Sequence, residues 1–309
     1  MRRRSFLGGL AIAPLAGGIP ISTALEAASG GAVPASWRGA TVLRGGKGYA
    51  ACPLGQMHYR QVDGHVGVPV LLLHQTPLSM AEYAEIQPAL ARLGRASVAV
   101  DNPSYGMSDP AGAGTDMGQL ADNLVALLDH LGIKKAILAG HHTGASIAIA
   151  FAARHPDRTA ALISHGTPFY TAAERAERLA RPAFHPALKA DGSHLVTTFR
   201  EVLAQLGGSV ESVAPATWST VDQFLADPAS PVYHAVFTYD MARDLARLRA
   251  PTLILSSVGD VLYDNDARVA ALRPDFTVHE LPAGHSLSLL DHADRWAGVV
   301  HTFAGPAAV

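Results

Sequence analysis

Two adjacent histidines stand between two glycines in the segment AGHHTGASIA. His141 and His142 follow Gly140, and Thr143 and Gly144 come next. Imidazole titrates near pH 6.5, so each ring can accept or donate a proton under mild conditions. Glycines on both sides of a turn let a strand and a helix approach closely. The segment therefore indicates acid-base chemistry at a tight strand-to-helix turn.

Two more residues that suit proton transfer come later in the chain. Asp260 ends the segment SSVGD, and His285 lies in PAGHS. His142, Asp260 and His285 are therefore candidate catalytic residues on the chemistry of their side chains, and Asp264 and Asp266 are alternative acids.

Short apolar runs that alternate with helical patterns predict a mostly parallel sheet covered by helices. GQMHYRQV alternates polar and apolar residues as an outer strand does, whereas VPVLLLH and ASVAVD are typical of buried parallel strands. Further strands are predicted in KKAILAGH, AALISHGTPF, PTLILSSVGD and FTVHELPAGH. Ligands bind beyond the carboxyl ends of such strands, which is where the candidate residues fall.

Helical patterns fill the intervals between these runs. TDMGQLADNLVALLDHLG has a stripe of leucines, with Thr115 or Asp116 able to cap its start and Gly132 able to end it. TGASIAIAFAARHP predicts a helix of small residues directly after the paired histidines, and DRWAGVVHTFA predicts a closing helix. Residues 170–248 contain several helical patterns and no buried strand, which predicts a helical insertion.

The strand ends LLLHQTP, VAVDNPSYGMSDP, LAGHHTGAS and SSVGD, followed by LPAGHS, resemble the α/β-hydrolase superfamily over nearly all of residues 56–305. The resemblance implies an α/β fold with a mostly parallel central sheet, flanking helices and a helical cap. It also implies a hydrolase core at 36–169 and 249–309, with the cap at 170–248. An enzyme that acts on a small molecule without a cofactor is expected.

In this family the turn G-x-S-x-G presents a nucleophile that is usually serine, cysteine or aspartate. Gly140 and Gly144 set the same frame, which puts His142 at the nucleophile position. Asp260 and His285 match the family's acid and histidine in chain order.

The resemblance also implies an oxyanion hole of backbone N–H donors. These belong to Thr143 and to Thr76 or Gln75 in HQTP, with Thr76 as the better match. Each such donor typically contributes about 3 kcal/mol to transition-state stabilisation. His74 is expected to anchor this loop, and Ser146 to be a packing residue of the helix after the turn.

A small apolar substrate is expected beside these groups. The candidate pocket residues are His74, Gln75, His141, Trp218 and Tyr239. Aromatic side chains of the cap can line such a pocket, and the same spacing also suits helix packing.

Three reactions suit a histidine at this turn. In the first, His285 activates water and His142 protonates the leaving group, so an ester, lactone or activated C–C bond is hydrolysed without an acyl-enzyme. In the second, the two imidazoles move protons on carbon, as in a lyase, isomerase or cofactor-free oxygenase. In the third, His142 is itself the nucleophile. A non-catalytic binding protein is the alternative, and the presence of both Asp260 and His285 speaks against it.

No metal is expected. His142, His285 and Asp260 have side chains that suit zinc or iron. However, no H-x-x-x-H or H-x-E spacing supports such a site.

The composition is that of a soluble globular protein: 49% of residues are apolar, 16% are charged and the net charge is −2. A nucleic-acid partner is not expected, because the chain has no strong excess of basic residues. Cys52 is the only cysteine, which excludes a disulfide within the chain.

The N-terminal segment MRRRSFLGGLAIAPLAGGIP has arginines before an apolar stretch too short to span a bilayer. Arg3 and Arg4 with Ser5-Phe6-Leu7 resemble the bacterial twin-arginine signature. The resemblance implies a signal within residues 1–35, the twin-arginine export machinery as a partner, and a periplasmic or secreted protein with no stable membrane anchor after cleavage.

Overall fold

A computed structural model describes residues 45–181, 187–229, 231–282, 289 and 292–305. The strands are β1 (Gly45–Cys52), β2 (Gly55–Val62), β3 (Val70–Leu73), β4 (Ser97–Val100), β5 (Ala136–His141), β6 (Thr159–His165), β7 (Thr252–Ser257) and β8 (Thr277–Leu281). They form one eight-stranded sheet in the order β1-β2-β4-β3-β5-β6-β7-β8. β2 pairs antiparallel with β1 and with β4, and all other neighbours are parallel. The predicted mostly parallel sheet is confirmed.

Helices cover this sheet and fill the interval between β6 and β7. They are α1 (Ile86–Arg92), α2 (Met117–His130), α3 (Thr143–Arg154), α4 (Ala172–Leu179), α5 (Ser193–Gln205), α6 (Val213–Leu225), α7 (Pro231–Thr238), α8 (Met241–Leu245), α9 (Tyr263–Leu272) and α10 (Ala293–Ala304). Short 3-10 turns lie at Met80–Tyr83 and Pro156–Arg158. Helices α4 to α8 occupy the interval that the sequence predicts as the cap.

The strand β1 was not predicted from the sequence. It pairs along its whole length with β2, so GQMHYRQV is the second strand of the sheet and not the outermost one. Its sequence GGKGYAAC is rich in glycine and alanine, which have low strand propensity. The short turn at Pro53 and Leu54 brings β1 against β2. The pairing with β2 therefore stabilises β1 despite its low strand propensity.

Side chains alternate between the two faces of the sheet, and each face has its own apolar core. Leu71 and Leu73 of β3 pack in the cluster that includes α2 and α3. Val70 and Leu72 pack in the opposite cluster, which includes Trp296 of α10. This two-residue period is that of a strand buried on both faces.

The cap helix α6 contacts the loop that follows β3. Leu78 of that loop packs with Val202 and Ala216 in a small apolar cluster. The Ser79 hydroxyl donates to the Asp222 carboxylate of α6 over 2.7 Å. Within the described part of the chain, no helix is long and apolar enough to cross a membrane.

Candidate active site

The paired histidines lie where β5 passes into α3. His141 is the last residue of β5, and His142 has φ 47° and ψ −111° before α3 begins at Thr143. A Cβ atom at Gly140 would lie 2.2 Å from the Gly144 carbonyl oxygen, so glycine is required there. A non-glycine residue in such a conformation costs about 1–3 kcal/mol and persists only where its surroundings impose it. The predicted tight turn is present, with His142 at its apex.

His142 forms its polar contacts with Asp260, which follows β7. The Nε2 atom of His142 lies 2.9 Å and 3.0 Å from the two carboxylate oxygens of Asp260. The backbone N–H of Leu262 donates to the same carboxylate over 2.7 Å. An ionised carboxylate only accepts hydrogen bonds, so Nε2 of His142 carries the hydrogen and the lone pair is on Nδ1.

His141 lies beneath this pair and is almost fully buried. Its Nδ1 atom is 2.6 Å from Oε1 of Glu82, and its Nε2 atom is 4.0 Å from Oδ2 of Asp260. That Nε2 atom makes no hydrogen bond with a described residue. The His141 ring lies 4.3 Å from the ring of His142 and 4.5 Å from that of His165. The His141 ring thus stacks on that of His165 and is tilted against that of His142, at the carboxyl ends of β5 and β6.

Glu82 is a central residue of the site that sequence reasoning missed. Besides binding His141, its carboxylate accepts the backbone N–H of Gln75 over 3.0 Å and the Gln75 side-chain amide over 2.9 Å. It therefore joins the loop after β3 to the residue before the turn. Nothing in the local sequence MAEYAEI distinguishes this glutamate from Glu85, since neither follows an apolar strand.

The charges in the site alternate. Burial alone would lower the pKa of His141, but the carboxylates of Glu82 and Asp260 outweigh it and raise that pKa to about 9. Burial would raise the pKa of Asp260 and of Glu82, but their histidine partners hold both below the usual range. Burial, together with the adjacent charge of His141, lowers the pKa of His142. At neutral pH a charged His141 therefore lies between two carboxylates, and His142 is neutral.

The backbone N–H of Gln75 cannot serve the predicted oxyanion hole, because it donates to Glu82. Thr76 is then the remaining donor of that loop. Thr143 is the first residue of α3, and the N–H groups of a first helical turn have no acceptor within the helix. The N–H groups of Thr76 and Thr143 therefore stay the predicted donors of the oxyanion hole.

Most of the predicted pocket residues have little free surface. His74 is completely buried and lies between the carbonyl of Gln75 and the N–H of Asn102, contacts that suit the expected loop anchor. Gln75 and His141 are buried and bonded to Glu82. The Tyr239 hydroxyl donates to Asp244 over 2.9 Å, and its ring belongs to the main core. Trp218 alone of the five is half-buried, at the edge of the apolar cluster beneath the cap.

Four further residues were considered in the sequence, and the structure describes three of them. His285 lies outside the described residues. Asp264 is exposed, whereas Asp266 is buried and accepts the N–H of Thr167 over 2.7 Å. Ser146 is completely buried in α3. His142 and Asp260 are thus the predicted catalytic residues that lie together in the described part of the chain.

Residues 68–291 match the sequence model of the α/β hydrolase fold family, and the chain belongs to this family. It is 28% identical over 221 residues to AB hydrolase superfamily protein YisY of Bacillus subtilis, covering 64% of this chain and 80% of that protein. It is also 28% identical over 277 residues to Haloalkane dehalogenase 2 of Mycobacterium bovis, covering 80% and 90%. Several other curated relatives match over only about a third of their own length.

A hydrolase from Pseudomonas aeruginosa PA01, known from a crystal structure, superposes on this chain with a TM-score of 0.71 at 20% identity. The match covers 85% of this chain and 99% of that one. These comparisons confirm the predicted fold and the expected α/β-hydrolase type of enzyme.

Proposed function

We propose that this protein hydrolyses an ester, a lactone or an activated C–C bond of a small apolar molecule by direct attack of water. The contact of His142 Nε2 with both oxygens of Asp260 carries the proposal. It fixes the tautomer in which Nδ1 of His142 is free to accept a proton. The relatives that are named as hydrolases support the reaction class.

The base in this proposal is His142, whereas the sequence suggested His285. Nδ1 of His142 takes a proton from water while the water oxygen attacks the substrate carbonyl carbon. The N–H groups of Thr76 and Thr143 stabilise the oxyanion. When the intermediate collapses, the protonated Nδ1 returns the proton to the leaving group, and the cycle closes with no covalent enzyme intermediate. His285 stays a predicted second acid or base.

The charge of Asp260 assists each step. It stabilises the imidazolium that forms when His142 takes the proton, as the carboxylate of a catalytic triad does. The imidazole is used in the opposite sense from a serine hydrolase, because the aspartate binds Nε2 instead of Nδ1.

The test is turnover of short-chain p-nitrophenyl esters, small lactones and 1,3-diketones by the mature protein. We expect His142→Ala and Asp260→Asn each to lower kcat at least about tenfold, the low end of general acid-base effects. Added imidazole should restore part of the activity of His142→Ala. His155→Ala is the control, since His155 pairs with Asp122 away from the site.

Three results would contradict the proposal. Unchanged kcat in both variants would show that this pair is not the base. An acyl adduct on His142 in the intact mass of rapidly quenched protein would show covalent catalysis. Ligand binding without product would identify a non-catalytic member of the family, and His285→Ala tests the remaining predicted residue.

The cellular location is a separate part of the proposal. The twin-arginine resemblance supports export of the folded protein to the periplasm or the medium. Replacement of Arg3 and Arg4 by lysine should retain the protein in the cytoplasm, as measured by cell fractionation against a cytoplasmic marker. Equal periplasmic amounts of both forms would exclude this export path.

A further inference from the structure

The Nε2 atom of His141 is a buried nitrogen with no hydrogen bond among the described residues, and the Asp260 carboxylate faces it at 4.0 Å. The His141 side chain is only 2% exposed, so bulk water does not satisfy that atom. A buried polar atom without a hydrogen bond costs about 1–3 kcal/mol. The position of this atom therefore calls for a ligand that it can bind.

Two further ligand-type atoms surround the same point. Single atoms from His141, His142 and Asp260 lie within 4.8 Å of one another. The closest pair, His142 Nε2 and Asp260 Oδ2, is 2.9 Å apart, and His141 Nε2 is 4.0 Å from the same oxygen. Ligand atoms about 2.1 Å from one ion lie roughly 3–3.5 Å from each other, so Nε2 of His141 must move closer to Asp260 for the three atoms to bind one ion.

We propose that His141, His142 and Asp260 form a binding site for a divalent transition-metal ion of the zinc class. Two imidazoles and a carboxylate are ligands that suit such an ion, and three protein ligands leave a coordination position open. The chain has no H-x-x-x-H or H-x-E spacing, because these three residues are not all neighbours along the sequence. The fold brings Asp260 to the turn from the end of another strand, β7.

Glu82 is the hydrogen-bond partner that a metal-binding histidine needs. Histidines that bind metals almost always donate their other ring N–H to a carboxylate or a carbonyl. Nδ1 of His141 does so to Glu82 over 2.6 Å, which directs Nε2 towards Asp260 and His142. The ion also has a path inward, because the His142 side chain is 12% exposed.

Binding of the ion would remove the hydrogen from Nε2 of both imidazoles: charged His141 would release one proton to solvent, and neutral His142 would keep its proton by moving it to Nδ1. His141 keeps its Nδ1 hydrogen on Glu82 and binds through Nε2. His142 must change tautomer, so that Nδ1 carries the hydrogen and Nε2 faces the ion. The metal-bound form of His142 and the form that activates water therefore have different tautomers. Metal binding can be measured separately from turnover.

The experiment titrates metal-free, tag-free protein with Co²⁺, followed by visible absorption, and then displaces Co²⁺ with Zn²⁺. We expect saturable binding of one Co²⁺ per chain, with the intense absorption of a four- or five-coordinate ion, and full displacement by Zn²⁺. His142→Gln and Asp260→Asn should each weaken binding at least about tenfold. Glu82→Gln should weaken it about 10–100-fold, as loss of the outer partner of a ligand histidine does.

His155→Gln is the matched control. His155 also contacts an aspartate, Asp122, over 2.7 Å, but it lies outside the group of three residues whose ligand atoms converge. Binding should be unchanged in this variant. If Asp260→Asn does not fold, His142→Gln alone decides, since its side chain is partly exposed. Absence of saturable Co²⁺ binding, or binding that survives His142→Gln, would overturn the proposal.

Discussion

Gly166 leaves the space that the imidazole of His142 occupies. A Cβ atom at position 166 would lie 2.4 Å from Cδ2 and 2.6 Å from Nε2 of His142, and 3.5 Å from Oδ1 of Asp260. Gly166 follows β6 and has φ 59°. The contact of His142 with Asp260 therefore depends on the absence of a side chain at position 166, directly after β6.

Gly166→Ala should displace the His142 ring from Asp260. We expect kcat to fall at least about tenfold, similar to the loss of the general base, because the methyl group cannot share the space of Nε2. The measurement is turnover of the best ester or lactone substrate, with folding checked by circular dichroism.

Gly132→Ala controls for backbone strain alone. Gly132 also has a positive φ, 67°, but a Cβ atom there meets nothing within 4 Å. Both variants carry the cost of alanine in this conformation, on the order of 1 kcal/mol, and only Gly166→Ala should lose activity. Equal activity of the two variants would contradict this role of Gly166.

The sequence predicted the framework of the site better than its interior. Gly140, Gly144 and Asp260 could be found because their positions follow from strand ends and a recurring turn. Glu82 and Gly166 could not, since their importance comes from contacts with His141 and His142 that only the folded chain creates.

Asp260 was expected to orient His285. His285 lies outside the described residues, so that expectation stays a prediction, and the described hydrogen bonds of the Asp260 carboxylate are with His142 and Leu262. A sequence motif fixes which strand end carries an acid. The direction in which a histidine at the turn points depends on its backbone angles and on the space left by β6.

Ser146→Ala should leave kcat unchanged. The Ser146 hydroxyl is completely buried in α3 and has no hydrogen-bond partner among the described residues, so it cannot reach a substrate. Its loss should change the free energy of unfolding little, because removing an unpartnered polar group carries no hydrogen-bond penalty. Steady-state kinetics and urea unfolding measure both. A large loss of kcat at unchanged stability would make Ser146 the nucleophile.

Asp266 should make the protein less stable as the pH rises. Burial raises the pKa of this carboxyl from 3.8 to about 7, although its bonds to Thr167 oppose the shift. Between about pH 4 and pH 7 the folded state therefore holds a proton that the unfolded state has lost, and the free energy of unfolding falls with increasing pH. One pKa unit corresponds to about 1.4 kcal/mol, so the total loss is on the order of a few kcal/mol.

Asp266→Asn removes this dependence while keeping an oxygen for the N–H of Thr167. Urea unfolding at pH 5 and pH 8 should show the variant gaining stability over the wild type at pH 8. Asp264→Asn, an exposed change on the same helix α9, is the control and should follow the wild type. A stability difference between Asp266→Asn and the wild type that is the same at both pH values would contradict the assignment.

Zinc should inhibit turnover if both proposals hold. An ion on Nε2 of His142 puts the hydrogen on Nδ1, which then has no lone pair to accept a proton from water. Saturating Zn²⁺ should lower kcat at least about tenfold, and a chelator should restore it, with the wild type measured beside His155→Gln. Half-inhibition should occur at the Zn²⁺ dissociation constant obtained from the displacement of Co²⁺, since one site accounts for both. Zn²⁺ that binds there and raises kcat would instead identify a metal-bound water as the nucleophile, and the role of His142 as the base would be wrong.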